Sequence, residues 1–254
     1  AARVIAYAGA RRLTRLPSPD VAHILVAGTT GSGKTALLRT MILSLAWRHP
    51  YVRDLSLVLI DPKGRAFADL EGLPQLARPV VVNGEEAAEA LSSLVRLMER
   101  RDAMRESEPP VVVVIDEMVD LMMTDSSRGK DRPSIEMLIT RLVQRGREAG
   151  IHIVAATQKP TAAVIGSLVK ANFPVRMVGK VSSANDARVA AGWSGTGAER
   201  LLGKGDFVAV AEGKVHRFQA AFIDPGEIAS LVQSLREDAV LPLATRDTGA
   251  NVYA

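Results

Sequence analysis

The 254-residue chain has no cysteine. That removes disulfides, thiolate metal sites and cysteine nucleophiles, and it fits a reducing compartment. Aromatic residues make up only 4% of the chain, which argues against a platform that stacks single-stranded bases. Long apolar runs are missing too. The longest unbroken run of bulky apolar residues is Val111 to Ile115, far short of the roughly 20 residues that a membrane-spanning helix needs. The first ten residues carry no signal-peptide pattern, so the expected location is cytoplasmic. No Asn-Lys-x-Asp motif for reading guanine occurs, nor any repeat or low-complexity tract. The chain starts Ala-Ala rather than Met, as a fragment would, so a membrane anchor or accessory domain outside it would not be seen.

What is present is enough apolar material, 47%, for a sizeable core. The length suits one large domain with short extensions. The expected division is a lead-in segment over 1–20, a main domain over 21–237 and a loose tail over 238–254. The net charge is only +4, but between Arg128 and Lys180 ten basic residues face three acidic ones. Such a local excess suits phosphates, on a nucleotide or a nucleic acid, although a solvated helix face would look the same.

The most informative stretch follows a short apolar run, Ile24-Leu25-Val26-Ala27. Gly28-Thr29-Thr30-Gly31-Ser32-Gly33-Lys34-Thr35 fits G-x-x-x-x-G-K-[ST] without a departure. Such a loop wraps a polyphosphate in backbone N–H groups, and glycines let the chain come close. Lys34 is expected at the β- and γ-phosphates, and the Thr35 hydroxyl at Mg²⁺. A helix over 33–47 would point its positive dipole end at the anion.

Apolar strands are expected at 55–60, 79–82, 111–115, 151–156 and 175–178. Helices are expected at 85–108, 120–123, 134–149, 162–170, 185–191 and 225–235, with a hairpin across Glu212-Gly213. Residues 125–133 read as a surface loop, and the run Glu99-Arg100-Arg101-Asp102 reads as a wet helix face. Strands alternating with amphipathic helices imply an α/β fold, a mainly parallel sheet covered on both faces.

Asp116-Glu117 ends one of these strands, at the sheet edge where ligands bind in open α/β folds. Asp116 suits Mg²⁺, and Glu117 suits orienting and deprotonating a water. Strand alternation sends the two acids in different directions. Thr157-Gln158 and Asp61-Pro62-Lys63 end other strands. Gln158 could contact the γ-phosphate or the water, while Asp61-Pro62-Lys63 could be only a turn. Phosphoryl transfer also gains from a second cation, often an arginine supplied in trans. Arg141, Arg145 and Arg147 all qualify, and spacing alone does not choose among them.

Several blocks then fall in one order: residues 23–35, Ile60-Asp61-Pro62-Lys63, Ile115-Asp116-Glu117 with 120–123, Ala149-Gly150-Ile151-His152, 156–160, 170–174, Val181-Ser182-Ser183 with Asp186-Ala187-Arg188, and Leu201-Leu202-Gly203-Lys204-Gly205-Asp206. This order resembles the FtsK/SpoIIIE family of DNA translocases, over about residues 20–225. The resemblance implies a RecA-like P-loop NTPase that burns ATP with Mg²⁺ as a ring, a hexamer, around double-stranded DNA. It puts the catalytic glutamate on Glu117, the sensing glutamine on Gln158 and the trans arginine on Arg147. It puts Lys159, Lys170 and Arg188 nearest the DNA backbone, where contacts grip phosphates and carry little sequence information.

Ala184 stands where family members often have lysine, so either Lys180 substitutes or that contact is lost. The family's extra N-terminal subdomain, membrane segments and C-terminal winged-helix module have no counterpart in these residues. Ring assembly is therefore expected to depend on parts beyond them, on DNA or on partners. A ring ATPase for protein secretion or conjugative single-stranded DNA transfer is the alternative reading. The process served stays open among chromosome segregation, sporulation-like pumping and transfer or packaging of a mobile element.

Overall fold

The computed structural model describes residues 5–8, 12–15, 22–125, 133–158 and 172–240, with side chains described between 22 and 237. In chain order the strands are Ile5–Ala8 (β1), Arg12–Arg15 (β2), His23–Ala27 (β3), Ser56–Ile60 (β4), Val111–Ile115 (β5), Ile151–Thr157 (β6), Val175–Gly179 (β7), Asp206–Ala211 (β8) and Lys214–Gln219 (β9). The α-helices are Lys34–Arg48 (α1), Gly84–Met104 (α2), Met118–Met123 (α3), Ile135–Arg145 (α4), Ala184–Ala191 (α5) and Pro225–Val240 (α6).

Among the described residues the strands form one sheet in the order β2-β1-β9-β8-β7-β3-β6-β5-β4. The run from β7 to β4 is parallel. Its strands are apolar because helices bury both of their faces. Alternation divides them cleanly. Val112 and Val114 join the core under α1 and α6, while Val111, Val113 and Ile115 join the core under α2, α3 and α4. The β7–β8–β9–β1–β2 extension is antiparallel. Its β8–β9 hairpin turns at Glu212 and Gly213, both at positive φ, as a two-residue hairpin turn demands. The lead-in segment thus supplies the edge strand β2 and its neighbour β1.

Several boundaries differ from expectation. Residues 79–82 form no strand. Val81 makes one bridge to Ile60, and Leu76 one to Leu57, so this segment covers the β4 edge without pairing along it; Pro79 has no N–H to give. Asn83 caps α2 by accepting from the Glu86 N–H at 2.9 Å, but the helix stops at Met104, because Arg105 takes a left-handed conformation with φ 58°. Ser134 caps α4 as expected, accepting from Met137 N–H, yet α4 ends at Arg145 and residues 146–150 form turns. The last helix runs past 235 to Val240. Arg101 is not on a wet face: it is 6% exposed. The expected helix at 162–170, most of the 125–133 loop and the tail beyond 240 lie outside the described residues.

Candidate nucleotide site

The phosphate loop leaves β3 and enters α1 through Gly33, at φ 99°. A Cβ there would lie 2.5 Å from the backbone nitrogen of Gly205. Only glycine allows this left-handed turn and this close approach together. The approach is held by backbone bonds: Lys204 N–H donates to Gly31 O at 3.0 Å and Gly205 N–H to Ser32 O at 2.8 Å. The Gly203–Asp206 block, some 170 positions downstream, therefore braces the loop from outside. On the inner side Thr29 N–H donates to Lys180 O at 2.8 Å and Gly28 N–H to Thr157 O at 3.2 Å. The loop is thereby tied to the ends of both strands flanking β3.

Lys34 is buried, and its Nζ donates to the carbonyls of Gly28 at 2.7 Å and Thr29 at 3.1 Å. Burial pulls its pKa down, and the charges of Glu117 and Asp116 pull it back. The ammonium is thus held inside the loop's own curve.

The two acids diverge as alternation requires. Asp116 lies near Thr35 at the start of α1, close enough for that side chain to oppose the rise in its pKa. Burial raises its pKa first and the Asp61 charge second, against Lys34, Lys63 and Thr35. A desolvated carboxylate beside a threonine hydroxyl at the foot of a phosphate loop is the donor set that Mg²⁺ takes, one or two protein oxygens with phosphates and water completing the shell. The pair fits that ion. Glu117 is 1% exposed. Its carboxylate accepts from Thr157 Oγ1 at 2.9 Å and from the Gln158 N–H at 3.1 Å. Burial pushes Glu117 above the usual carboxylate range, while those two donors restrain the rise. A base gains from such a shift towards the working pH.

Gln158 touches the phosphate loop directly: Thr30 Oγ1 donates to its Oε1 at 2.9 Å. Asp61 is fully buried and accepts from the N–H groups of Ala66 at 2.6 Å and Phe67 at 3.2 Å. It therefore shapes the 61–67 loop. Lys63, from the same block, pairs with Asp120 at 2.8 Å beside Asp116 and Glu117. Spacing did not reveal this pair, nor Thr157 as the holder of Glu117.

The arginines lie elsewhere. Arg141 pairs with Glu99 at 3.0 Å and Arg145 with Asp102 at 2.6 Å, both across to α2. Arg147 is exposed, in the 146–150 turns rather than on a helix. Its charge reaches His23 and His152, at the entrances of β3 and β6. His23 is held down at about 4, by burial first and by the charges of His152 and Arg147. β6 separates this turn from Gln158 by seven residues, about 20 Å of extended chain. Arg188 is exposed on α5, its guanidinium donating to Asn185 Oδ1 at 3.0 Å. Lys180 is exposed beside the phosphate loop, its stem alongside Gly203. Lys159 and Lys170 lie outside the described residues.

A phosphate loop at a helix N-terminus, with strand-end acids beside it on the parallel part of a mixed sheet, defines a P-loop nucleotide-binding protein of RecA-like α/β fold. Sequence comparison narrows the class: the FtsK/SpoIIIE family model matches residues 9–106 and 101–162, and the chain belongs to that family. It is 38% identical over 237 residues to the DNA translocase FtsK of Campylobacter jejuni, covering 85% of this chain and 24% of that protein. It is 36% identical over 265 residues to the DNA translocase FtsK of Rickettsia prowazekii, covering 85% and 34%. The chain thus spans about a quarter to a third of the curated relatives it matches.

Among solved structures, the pCW3 conjugation coupling protein TcpA, in monomer form with ATPγS, superposes with TM-score 0.72 at 23% identity, over 91% of this chain and 70% of that one. The cytoplasmic domain of the Thermomonospora curvata type VII secretion ATPase EccC superposes with TM-score 0.74 at 24% identity, over 92% and 31%. These likenesses agree with the fold. Among the described residues no helix is long and apolar enough to cross a membrane.

Proposed function

We propose that the chain is the ATP-hydrolysing motor of a double-stranded DNA translocase and works as a ring, a hexamer, with ATP at the seam between neighbours. Lys34 and the amides of residues 28–35 bind the β- and γ-phosphates. Thr35 and Asp116 would hold Mg²⁺, which would supply positive charge against that of the phosphates. Glu117 orients a water and takes its proton as the oxygen attacks the γ-phosphorus. The bond from that phosphorus to the β,γ-bridging oxygen breaks, and ADP leaves with the electron pair. Gln158, bonded to Thr30, reports whether the γ-phosphate is present. Arg147 reaches the γ-phosphate of the neighbouring protomer, and Lys159, Lys170 and Arg188 grip the DNA backbone.

One observation carries the ring reading. The groups that bind and cleave nucleotide gather at one edge of the sheet, while Arg147 sits about 20 Å away at the other edge. A protomer cannot fold that arginine onto its own site, which supports its use on the nucleotide of a neighbour. The test is ATP turnover by the purified chain with duplex DNA, single strands or no DNA, alongside Arg147→Ala. Stimulation by duplex and loss of turnover in Arg147→Ala with nucleotide binding intact are expected. Normal turnover by Arg147→Ala would refute the trans role. Stimulation by single strands alone would favour conjugative transfer, and indifference to DNA would favour protein cargo.

A further inference from the structure

Arg101 lies in the last full turn of α2, flanked by exposed Arg100 and half-buried Asp102, yet it is 6% exposed. Its guanidinium forks onto two backbone carbonyls. Nη1 donates to Ala149 O at 2.8 Å and Nη2 to Pro109 O at 2.7 Å. These carbonyls belong to the segments entering β6 and β5, neighbours in the parallel sheet. Burial lowers the Arg101 pKa, and Glu108 and Glu106 oppose the fall. Burying a cation is costly, and an apolar residue of similar size would hold a helix on a sheet at least as well. A planar fork aimed at two carbonyls does what an apolar residue cannot: it fixes two backbone segments relative to each other.

The segment it fixes carries Arg147. Within 146–150 the backbone closes on itself, Gly150 N–H donating to Arg147 O at 3.1 Å and Ile151 N–H to Gly146 O at 2.8 Å. Val111 N–H donates to Gly150 O at 2.9 Å. Gly150 sits at φ 68°, where a Cβ would run into the Ser107 carbonyl. The Arg145–Asp102 pair ties the end of α4 to the residue after Arg101. Every one of these restraints lies within a few residues of Arg147.

We propose that Arg101 is the positioning residue of the trans arginine: its fork onto Ala149 and Pro109 sets the turn that presents Arg147 to the neighbour's γ-phosphate. This rests on the trans role of Arg147. Arg101 touches no substrate, and it acts across the seam rather than on its own protomer's nucleotide.

The test uses the full chain with duplex DNA. Arg101→Gln keeps at most one of the two bonds; Arg101→Lys keeps the cation and stem but not the fork, and it carries the comparison should the glutamine variant fail to fold. Binding of a fluorescent ATP analogue and KM should stay within about twofold, while kcat falls on the order of 100-fold in the glutamine variant, the cost of misplacing a reacting group by about an ångström. The decisive readout is mixing. Lys34→Ala protomers have no working loop but an intact Arg147 turn, so adding them should restore activity to the Arg101 variants. Adding Arg147→Ala protomers should not. The double variant Arg101→Gln/Arg147→Ala should be no slower than Arg147→Ala.

A kcat loss that Lys34→Ala protomers do not rescue, or a double variant slower than Arg147→Ala, would overturn the proposal and leave Arg101 a scaffold residue. Normal turnover in the folded Arg101 variants beside an inactive Arg147→Ala would overturn it while sparing the trans reading. Normal turnover in Arg147→Ala itself would sink both.

Discussion

Thr157→Val tests one hydrogen bond to Glu117 in the candidate catalytic site. Thr157 is fully buried at the end of β6, and its hydroxyl donates to Glu117 at 2.9 Å. Valine keeps the shape and the β-branch, so β6 and its register survive. The Gln158 N–H still reaches the carboxylate, at 3.1 Å. What the carboxylate loses is one hydrogen bond, which to a charged group is worth about 1.5–3 kcal/mol. It restrains the upward push of burial on Glu117, so its loss moves the Glu117 pKa further up. A base works only when ionised. On the acid limb of the rate profile the ionised fraction should fall by a factor on the order of 10–100, since about 1.4 kcal/mol is tenfold. On the alkaline plateau Glu117 is ionised in both proteins and the two rates should converge. The assay is kcat against pH at saturating ATP for wild type and Thr157→Val. An equal loss at every pH would mean that valine displaced the glutamate, and an unchanged profile would mean that Glu117 is not the base. Either result refutes the reasoning.

Glu117→Gln removes the base and a buried charge together. Turnover should fall at least on the order of 100-fold with nucleotide binding kept. Its stability effect has a definite sign: a carboxyl whose folded pKa is raised adds stability below its unfolded pKa and loses it as pH rises through the folded one. Relative to wild type the variant should therefore gain melting temperature as pH rises from the ordinary carboxylate range to neutral; equal melting differences at both pH values would contradict the shift. Gly33→Ala forces a Cβ to 2.5 Å from Gly205 N at φ 99°. The strain, about 1–3 kcal/mol, should lower Tm by roughly 2–12 °C for a domain of this size and abolish binding of an ATP analogue. Wild-type melting and binding would show that the loop does not need this closeness.

The parts of the fold legible in the sequence are those whose determinants are contiguous. The phosphate loop is eight residues in a row, its strand and helix adjoin it, and the Asp116-Glu117 pair follows an apolar run that only a buried strand would use. Each announces its place within a single local window. What could not be read was fixed by partners far along the chain. Arg101 sits in a run of four charged residues that pattern alone assigns to water. Its burial is decided by carbonyls of residues 109 and 149, and a carbonyl leaves no mark on composition. Thr157 reads as one more strand residue until β6 brings it to Glu117, 40 positions away. Helix ends failed for a similar reason, since Arg105 stops α2 in a left-handed conformation that sequence assigns to glycine.

The same distinction separates the two halves of the candidate catalytic site. The cleaving half is written in local motifs because one chain assembles it at one sheet edge. The arginine half depends on a turn whose shape comes from Arg101, Gly150 and the start of β5, and its use, on the trans role proposed above, would need a second copy. β6 links the halves: it begins just after the turn of Arg147 and ends at Thr157-Gln158, against Glu117 and Thr30. A seven-residue strand buried between β3 and β5 is stiff along its length. A shift at Gln158 on loss of the γ-phosphate would therefore be felt at the turn that carries Arg147. Neighbouring sites in a ring built this way would be coupled through the sheet itself.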